Sequence, residues 1–235
     1  MMVSVILPTY NERDNIVELV ECLSGVLGRD HSFEIVVVDD NSPDGTAGAV
    51  EGRFQNSDAV RLIRRNGQRG LATAVRRGIE ESRGGIIVLM DADFSHSPGD
   101  LPAMLALADR YELVNGSRYL PAGGFQGSLR ARTSSWMINW FLRILLRLPT
   151  TDSTSGFVAI RRSLLEKLSV QNIFYGYGDF HFRLLVNAGR LEASIGEVPV
   201  VHQFRRGGWA KTRLFRDGWG YIWSAVKIRF GLERL

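Results

Sequence analysis

Short, wholly apolar runs alternate with longer amphipathic ones through the first half of the chain. Val3-Ser4-Val5-Ile6-Leu7 reads as a strand stopped by Pro8. Ile16, Leu19, Val20, Leu23 and Leu27 then recur at helical spacing, behind Asn11-Glu12-Arg13-Asp14. Glu34 to Val38 is a buried strand that ends at Asp39-Asp40, and Ser42-Pro43-Asp44-Gly45 is a turn before a short helix to Phe54. A strand from Val60 to Ile63, a loop from Asn66 to Gly70 and a helix from Leu71 to Glu81 follow. Next come the apolar run Ile86 to Met90, a helix from Leu101 to Arg110 and a strand around Leu113 to Gly116. Strands alternating with helices predict an α/β fold of the Rossmann-like kind: an open, mostly parallel, twisted sheet with helices on both faces.

The second half is less regular. Ser128 to Leu148 reads as a helix rich in Trp136, Trp140, Phe141 and leucines, interrupted by Asn139, Arg143 and Arg147. It is too short and too charged to span a bilayer, which takes about 20 mainly apolar residues. Gly156 to Ile160 reads as a strand, Phe180 to Ala188 as a helix capped by Gly189, and Ile195 to Val201 as a strand. The last element is an amphipathic helix from about Leu214 to Phe230, bearing Trp219, Tyr221, Trp223 and Phe230. The aromatic and basic segments at 136–148 and 209–230 suit either core packing or a membrane interface.

Polar clusters fall where parallel sheets bind ligands, beyond the carboxyl ends of strands. Thr9-Tyr10-Asn11-Glu12 closes the first strand, Asp39-Asp40-Asn41-Ser42 the second, and Asp91-Ala92-Asp93 the apolar run at Ile86. Two carboxylates one residue apart at the end of a buried strand call for compensation, commonly a divalent cation, and a diphosphate is the common partner of that cation. Singly, each cluster also reads as a turn, a helix cap or a solvated loop. Together they predict one shared crevice.

Composition narrows the setting. The chain has 235 residues, 45% of them hydrophobic and 23% charged, enough for one large domain or one domain with an appendage. Its single cysteine, Cys22, reads as a core residue, excludes an intramolecular disulfide and fits a reducing compartment. Net charge is +4, and only Lys167, Lys211 and Lys227 are lysines, so arginine supplies almost all of the positive charge. Arginine suits phosphate recognition. The four histidines, His31, His96, His181 and His202, have no short metal-ligand spacing, and His96 reads as structural. Met1 leads straight into a strand pattern, without the basic start of a signal peptide.

Taken in order, Pro8 to Glu12, Val37 to Ser42, Asn66 to Ala72 and Asp91 to Asp93 resemble the nucleotide-binding half of inverting GT-A glycosyltransferases of family 2. Ser42-Pro43-Asp44-Gly45-Thr46 and Asp93-Phe94-Ser95-His96-Ser97-Pro98 look like the dolichol-phosphate mannose synthases and related polyprenyl-phosphate glycosyltransferases. The resemblance runs from Val3 to about Lys211. It implies a GT-A domain over 1–211, with a nucleotide-sugar half (1–120) and an acceptor half (121–211), followed by an interfacial helix over 212–235. It implies that Pro8, Tyr10, Glu12, Val37, Asp39 and Asp40 bind the nucleoside diphosphate sugar. Asp91 and Asp93 would bind Mg²⁺ or Mn²⁺, with Ser95 where some relatives carry a larger third ligand. Arg118, Arg130, Arg132, Arg205 and Lys211 would hold an acceptor phosphate, and Asp152 to Phe157 matches the acceptor-side motif. Loop arginines, and Lys211 among them, also read as plain solvated charge. Asp93 and Arg118 would act in catalysis. Asp179 is either a general base or the N-cap of its helix.

The implied reaction moves a sugar, mannose from GDP-mannose first among donors, onto a dolichyl or other polyprenyl phosphate with inversion. UDP-glucose or another donor is the near alternative, and a non-catalytic nucleotide-binding subunit is a further one. Transfer to a growing glycan would bring a Gln-x-x-Arg-Trp motif and membrane helices, and the sequence shows neither. The basic tail lacks any nucleic-acid recognition module. The expected location is the cytoplasm, peripheral on the cytosolic face of a membrane. Attachment would come from the chain's own amphipathic segments or from a separate membrane-anchoring subunit.

Overall fold

The computed structural model describes residues 1–206 and 214–232. Five strands and four helices alternate first: β1 (Val3–Thr9), α1 (Arg13–Leu27), β2 (Phe33–Asp39), α2 (Thr46–Phe54), β3 (Val60–Arg64), α3 (Leu71–Glu81), β4 (Ile86–Leu89), α4 (Leu101–Ala108) and β5 (Leu113–Ser117). The rest adds β6 (Gly124–Phe125), α5 (Leu129–Leu146), β7 (Val158–Arg161), α6 (Arg162–Leu165), α7 (Val170–Ile173), α8 (Phe180–Arg190), β8 (Ile195–Pro199), β9 (Val201–His202) and α9 (Leu214–Arg229).

Seven strands form one sheet in the order β3-β2-β1-β4-β7-β5-β8. β1, β2, β3 and β4 run parallel, β7 is antiparallel to both its neighbours, and β5 is parallel to β8. Strand β7, from the second half of the chain, lies between β4 and β5, so both halves share one sheet. The expected open, mostly parallel sheet is present, and its carboxyl edge at β2, β1 and β4 carries all three polar clusters.

Each central strand is buried on both faces, which is why its sequence is a continuous apolar run. Val3, Val5 and Leu7 of β1 pack with α1, α2 and α4, while Ile6 packs with α3. Gly78 lets α3 lie close on β1, since a Cβ there would meet Ile6 Cγ2 at 2.3 Å. On that second face α5, α8 and α9 also contribute, with Ala225 and Ile228 of α9 in the core.

Several local expectations are corrected. Pro8 does not stop β1, which runs on to Thr9. Beyond the Ile6–Leu89 pair β4 no longer flanks it, so the missing N–H at Pro8 breaks no ladder. Gly189 lies inside α8, which ends at Arg190. The Ile195 strand breaks into β8 and β9. Arg130 and Arg132 belong to the first turn of α5 and not to a preceding loop. Cys22 is exposed, because it sits roughly a third of a turn away from the α1 stripe of Ile16, Leu19, Val20, Leu23 and Leu27.

Candidate active site

At the end of β1 and of β2, and in the loop after β4, the backbone turns through a left-handed residue: Asn11 (φ 57°), Asn41 (φ 53°) and Phe94 (φ 62°). Asparagine tolerates this region, whereas a bulky Phe rarely occupies it. The turns fold the polar clusters back over the sheet edge.

Side-chain bonds then lock the donor side. Asp39 is fully buried. Its Oδ1 accepts from Thr9 Oγ1 (3.0 Å) and Ser42 Oγ (2.5 Å), and its Oδ2 accepts from Ser42 N–H (2.9 Å), tying the ends of β1 and β2 together. Asp40 Oδ1 accepts from Arg65 Nε (2.6 Å) and Oδ2 from Gly70 N–H (2.8 Å). Arg65, itself buried, also donates to Thr73 Oγ1 and the Gly70 carbonyl. This pair fixes the loop at 66–70 and with it Arg69, whose guanidinium lies 3.6 Å above the Tyr10 ring. Glu12 is buried before α1, its carboxylate accepting from Asn15 Nδ2 (2.9 Å) and its N–H donating to Thr46 Oγ1 (3.0 Å). Two residues expected to contact the donor have their side chains engaged within the protein. Asp40 is committed to Arg65 and Gly70, and the Val37 side chain is fully buried in the core against α1. Both shape the crevice from behind. Pro8 and Tyr10 are half-buried at its edge.

The loop after β4 carries the two carboxylates that are candidates for holding a cation. Asp93 is buried, with Oδ1 accepting from Ser95 N–H (2.9 Å) and Oδ2 paired to Arg205 Nε (2.5 Å). Burial alone would raise its pKa. The Arg205 charge and the bond from Ser95 N–H outweigh burial and hold the carboxyl below its ordinary value. Asp91 is half-buried, and its N–H donates to His96 Nδ1 (3.1 Å). Ser95 Oγ is buried with no hydrogen-bond partner among the described residues. Two carboxylates, an orphaned hydroxyl and a guanidinium already drawn to Asp93 fit a divalent ion that takes its other oxygens from a ligand. Among the described residues no group of three His, Cys, Asp or Glu surrounds such a site.

Residues 203–206 strap this loop down. Gln203 N–H donates to the Ser95 carbonyl (2.9 Å) and Arg206 N–H to the Asp93 carbonyl (3.1 Å). The Arg206 guanidinium covers the Phe94 ring at 4.3 Å and bonds Glu18 Oε1 at 2.6 Å.

The acceptor side is built differently. Arg118, at the end of β5, is buried against Asp152: Nε to Oδ2 (2.6 Å), Nη2 to Oδ1 (2.8 Å), and its own N–H to Oδ2 (3.1 Å). Nη2 also donates to Thr154 Oγ1 (2.8 Å). Burial opposes both charges, yet their attraction prevails, raising the Arg118 pKa and lowering that of Asp152. The Arg118 side chain, expected to meet an acceptor phosphate, is only 7% exposed and forked onto a carboxylate. Asn139 of α5 fixes the same segment, its Oδ1 accepting from Ser153 N–H (2.6 Å) and its Nδ2 donating to Thr154 Oγ1 (2.9 Å). Asn115 Nδ2 donates to the Asp152 carbonyl (2.7 Å), and His181 Nε2 lies 2.9 Å from Asn115 Oδ1.

Arg130 and Arg132 are exposed in the first turn of α5. Arg205 stands on Asp93 in place of a phosphate. Lys211, with Gly208 and Ala210 of its pattern, lies outside the described residues. Asp179 occupies the N-cap position of α8 but makes no capping bond. Its carboxylate pairs with the buried Arg183 and accepts from Tyr177 N–H (3.1 Å). Sequence reasoning missed Arg65, Asn139 and the pairing partner in Asp152. Asn139 did carry a signal, as a lone amide inside an apolar helical run.

The sequence profile of glycosyl transferase family 2 matches residues 4–169. The chain belongs to this family. Among curated relatives of this glycosyltransferase are the "Undecaprenyl-phosphate mannosyltransferase" of Micrococcus luteus, the "Polyprenol monophosphomannose synthase" of Mycolicibacterium smegmatis and the "Dolichol-phosphate mannosyltransferase" of Pyrococcus furiosus. The first is 33% identical over 99% of this chain and 100% of its own. The second is 36% identical over 88% of this chain and 79% of its own. The third is 32% identical over 91% of this chain, which spans only 60% of that relative's length. Among solved structures, glucosyl-3-phosphoglycerate synthase from Mycobacterium tuberculosis, in complex with Mn²⁺, UDP and glucosyl-3-phosphoglycerate, superposes with a TM-score of 0.73 at 20% identity. That superposition covers 98% of this chain and 80% of the other, and establishes the shared fold.

Proposed function

We propose that this glycosyltransferase moves mannose from GDP-mannose to a polyprenyl phosphate with inversion at the anomeric carbon. The observation that carries the reading is the meeting, at one sheet edge, of the Asp91–Asp93 pair with the locked Tyr10–Glu12–Asp39 turns. The printed names of the curated relatives, at 32–36% identity, supply the sugar and the acceptor class.

In this reading Tyr10 and Arg69 flank the nucleoside, and the Thr9–Asp39–Ser42 bonds hold that wall rigid. Asp91, Asp93 and Ser95 would hold Mg²⁺ or Mn²⁺, which when bound neutralises charge on the departing diphosphate. With a cation held at Asp93, Arg205, which now pairs with that carboxylate, would be available to a phosphate. Arg130 and Arg132 meet the acceptor phosphate, since two cations in the first turn of a helix lie against its dipole until an anion joins them. Arg118 supports them from behind by holding Asp152 and Thr154. A phosphate monoester has a second pKa near 6, so its oxygen attacks without a protein base. Asp179, neutralising Arg183, is free of that duty.

The acceptor's lipid calls for a membrane surface. Among the described residues no helix is long and apolar enough to cross a bilayer. Trp136, Trp140 and Ile144 form an exposed stripe on α5, and Trp219 and Trp223 of α9 form another with Phe230 just past its end. They support peripheral attachment through Trp-rich amphipathic helices, which this reading puts on the cytosolic face. The test is direct: incubate the protein with polyprenyl phosphate, Mn²⁺ and labelled GDP-mannose or UDP-glucose, and extract the lipid. Label from GDP-mannose is expected in the lipid phase, and an unlabelled lipid phase with every donor defeats the reading. Flotation with protein-free vesicles separates direct attachment from dependence on an anchoring subunit.

A further inference from the structure

His96 is neither a metal ligand nor one of the acceptor arginines, yet it touches both sides of the crevice. Its ring is buried, and its two nitrogens face opposite partners. Nδ1 lies 3.1 Å from the Asp91 N–H, a group that can only donate, so Nδ1 carries the lone pair. Nε2 lies 2.9 Å from the Ser155 carbonyl, which can only accept, so Nε2 carries the hydrogen. A single neutral tautomer satisfies both contacts. The ring stacks on Phe157 at 4.8 Å with 13° between planes and meets His202 edge-on at 5.8 Å, so its orientation is fixed.

The two contacts join segments far apart in sequence. Asp91 opens the metal loop. Ser155 belongs to the 152–156 segment, which holds Arg118 through Asp152 and α5 through Ser153 and Thr154. We propose that His96 is a positioning residue that couples the donor and acceptor sides, setting the Asp91 peptide against the Asp152–Gly156 segment. This role rests on the functional reading given above.

Two substitutions separate the contacts. His96→Asn places an amide oxygen near the Nδ1 position and abandons Ser155. His96→Gln places an amide N–H near the Nε2 position and leaves the Asp91 N–H without its acceptor. The measurements are Mn²⁺ affinity in the presence of GDP, by paramagnetic resonance of the free ion, and the KM for polyprenyl phosphate. One hydrogen bond is worth about tenfold at most, so His96→Gln should weaken Mn²⁺ about tenfold with little change in acceptor KM. His96→Asn should do the reverse, raising acceptor KM about tenfold while Mn²⁺ affinity stays within about twofold. A histidine that merely fills the core would shift both quantities together, or neither, in both variants, and that result overturns the coupling role. If neither variant folds, ¹⁵N-histidine resonances of the wild-type protein decide. The Nε2–H tautomer is expected, with the Nδ1 resonance moving when Mg²⁺ and GDP are added; a protonated Nδ1, or an unmoved resonance, overturns it. A wild-type protein that binds neither Mn²⁺ nor GDP defeats the donor reading and the coupling with it. Wild-type binding with unseparated variants defeats the coupling alone.

Discussion

The two walls of the crevice are made from different materials. On the donor wall the charged groups are buried and bonded to neighbouring strand ends: Asp39 to Thr9 and Ser42, Asp40 to Arg65 and Gly70, Asp93 to Ser95 and Arg205. On the acceptor wall one buried ion pair, Arg118 with Asp152, stands behind two arginines, Arg130 and Arg132, that reach into water from a helix start. A soluble nucleotide sugar is bound best by groups already fixed in place, because ordering them at the moment of binding lowers affinity. A lipid phosphate is presented from a surface, so its receiving charges stay open toward that surface. Under the proposed function the donor wall is therefore preorganised and the acceptor wall would be completed by its ligand.

The harshest way to break this contrast is Asp93→Asn. The fold should persist, because Ser95 N–H and the strap at 203–206 keep the loop in place. Turnover should fall about a thousandfold, the equivalent of about 4 kcal/mol of lost charge stabilisation at the leaving group. Circular dichroism with steady-state rates over a Mn²⁺ titration reads both; an unchanged rate removes the metal role from Asp93.

Next in size is Asp152→Asn, which leaves the Arg118 guanidinium buried opposite a neutral amide. Breaking a buried pair on one side should lower folding stability by about 3 kcal/mol. The double variant Asp152→Asn with Arg118→Gln should recover part of that loss, since no unpaired charge remains. Urea melts of the single and double variants measure the difference. Equal stability in the wild type and Asp152→Asn would mean that the pair is not what holds the acceptor wall.

How far the two walls could be read from sequence follows from the same contrast. Donor-wall residues sit at the ends of apolar runs, and strand periodicity marks those ends, so Glu12, Asp39, Asp91 and Asp93 fall at one edge as expected. Acceptor-wall contacts join residues distant in sequence, such as Arg118 with Asp152, and no local pattern announces them. Asp40 looked like a ligand because its partner Arg65 arrives from the next strand. Asp179 was readable: Arg183 stands four residues on, the spacing at which helical charges pair. Cys22 was misjudged because its apolar character outweighed its angle on α1.

Acid should expose the junction between the walls. His96, His181 and His202 are each pushed down from 6.5 to about 4, chiefly by burial. The unfolded chain therefore binds more protons than the folded one between about pH 6.5 and pH 4. Stability is full above that window and falls as pH drops through it. For His181, fully buried against Asn115, the loss should be about 3 kcal/mol. His181→Gln retains a donor for Asn115 and cannot titrate, so its chemical-melt midpoint should fall less steeply between pH 6.5 and pH 4. A parallel pH dependence would show that His181 is not neutral in the fold.

The smallest expected effect tests the open wall itself. Arg132 is exposed in the first turn of α5, and Ser128 holds that turn through its carbonyl, which accepts from Arg132 N–H, and its hydroxyl, which accepts from Ala131 N–H. Arg132→Gln leaves both bonds intact, so thermal stability should not change. A charge pair formed in water at contact distance is worth about 1 kcal/mol, so the KM for polyprenyl phosphate should rise about fivefold. Because Arg132 belongs to the acceptor wall alone, the KM for GDP-mannose and the affinity for Mn²⁺ should stay at wild-type values. The KM increase should also shrink as salt is raised, because an exposed charge is screened over about 10 Å at 0.1 M ionic strength. A variant that weakened the donor instead, or showed no salt dependence, would mean that α5 begins beside the nucleotide and that the two walls are not divided as drawn.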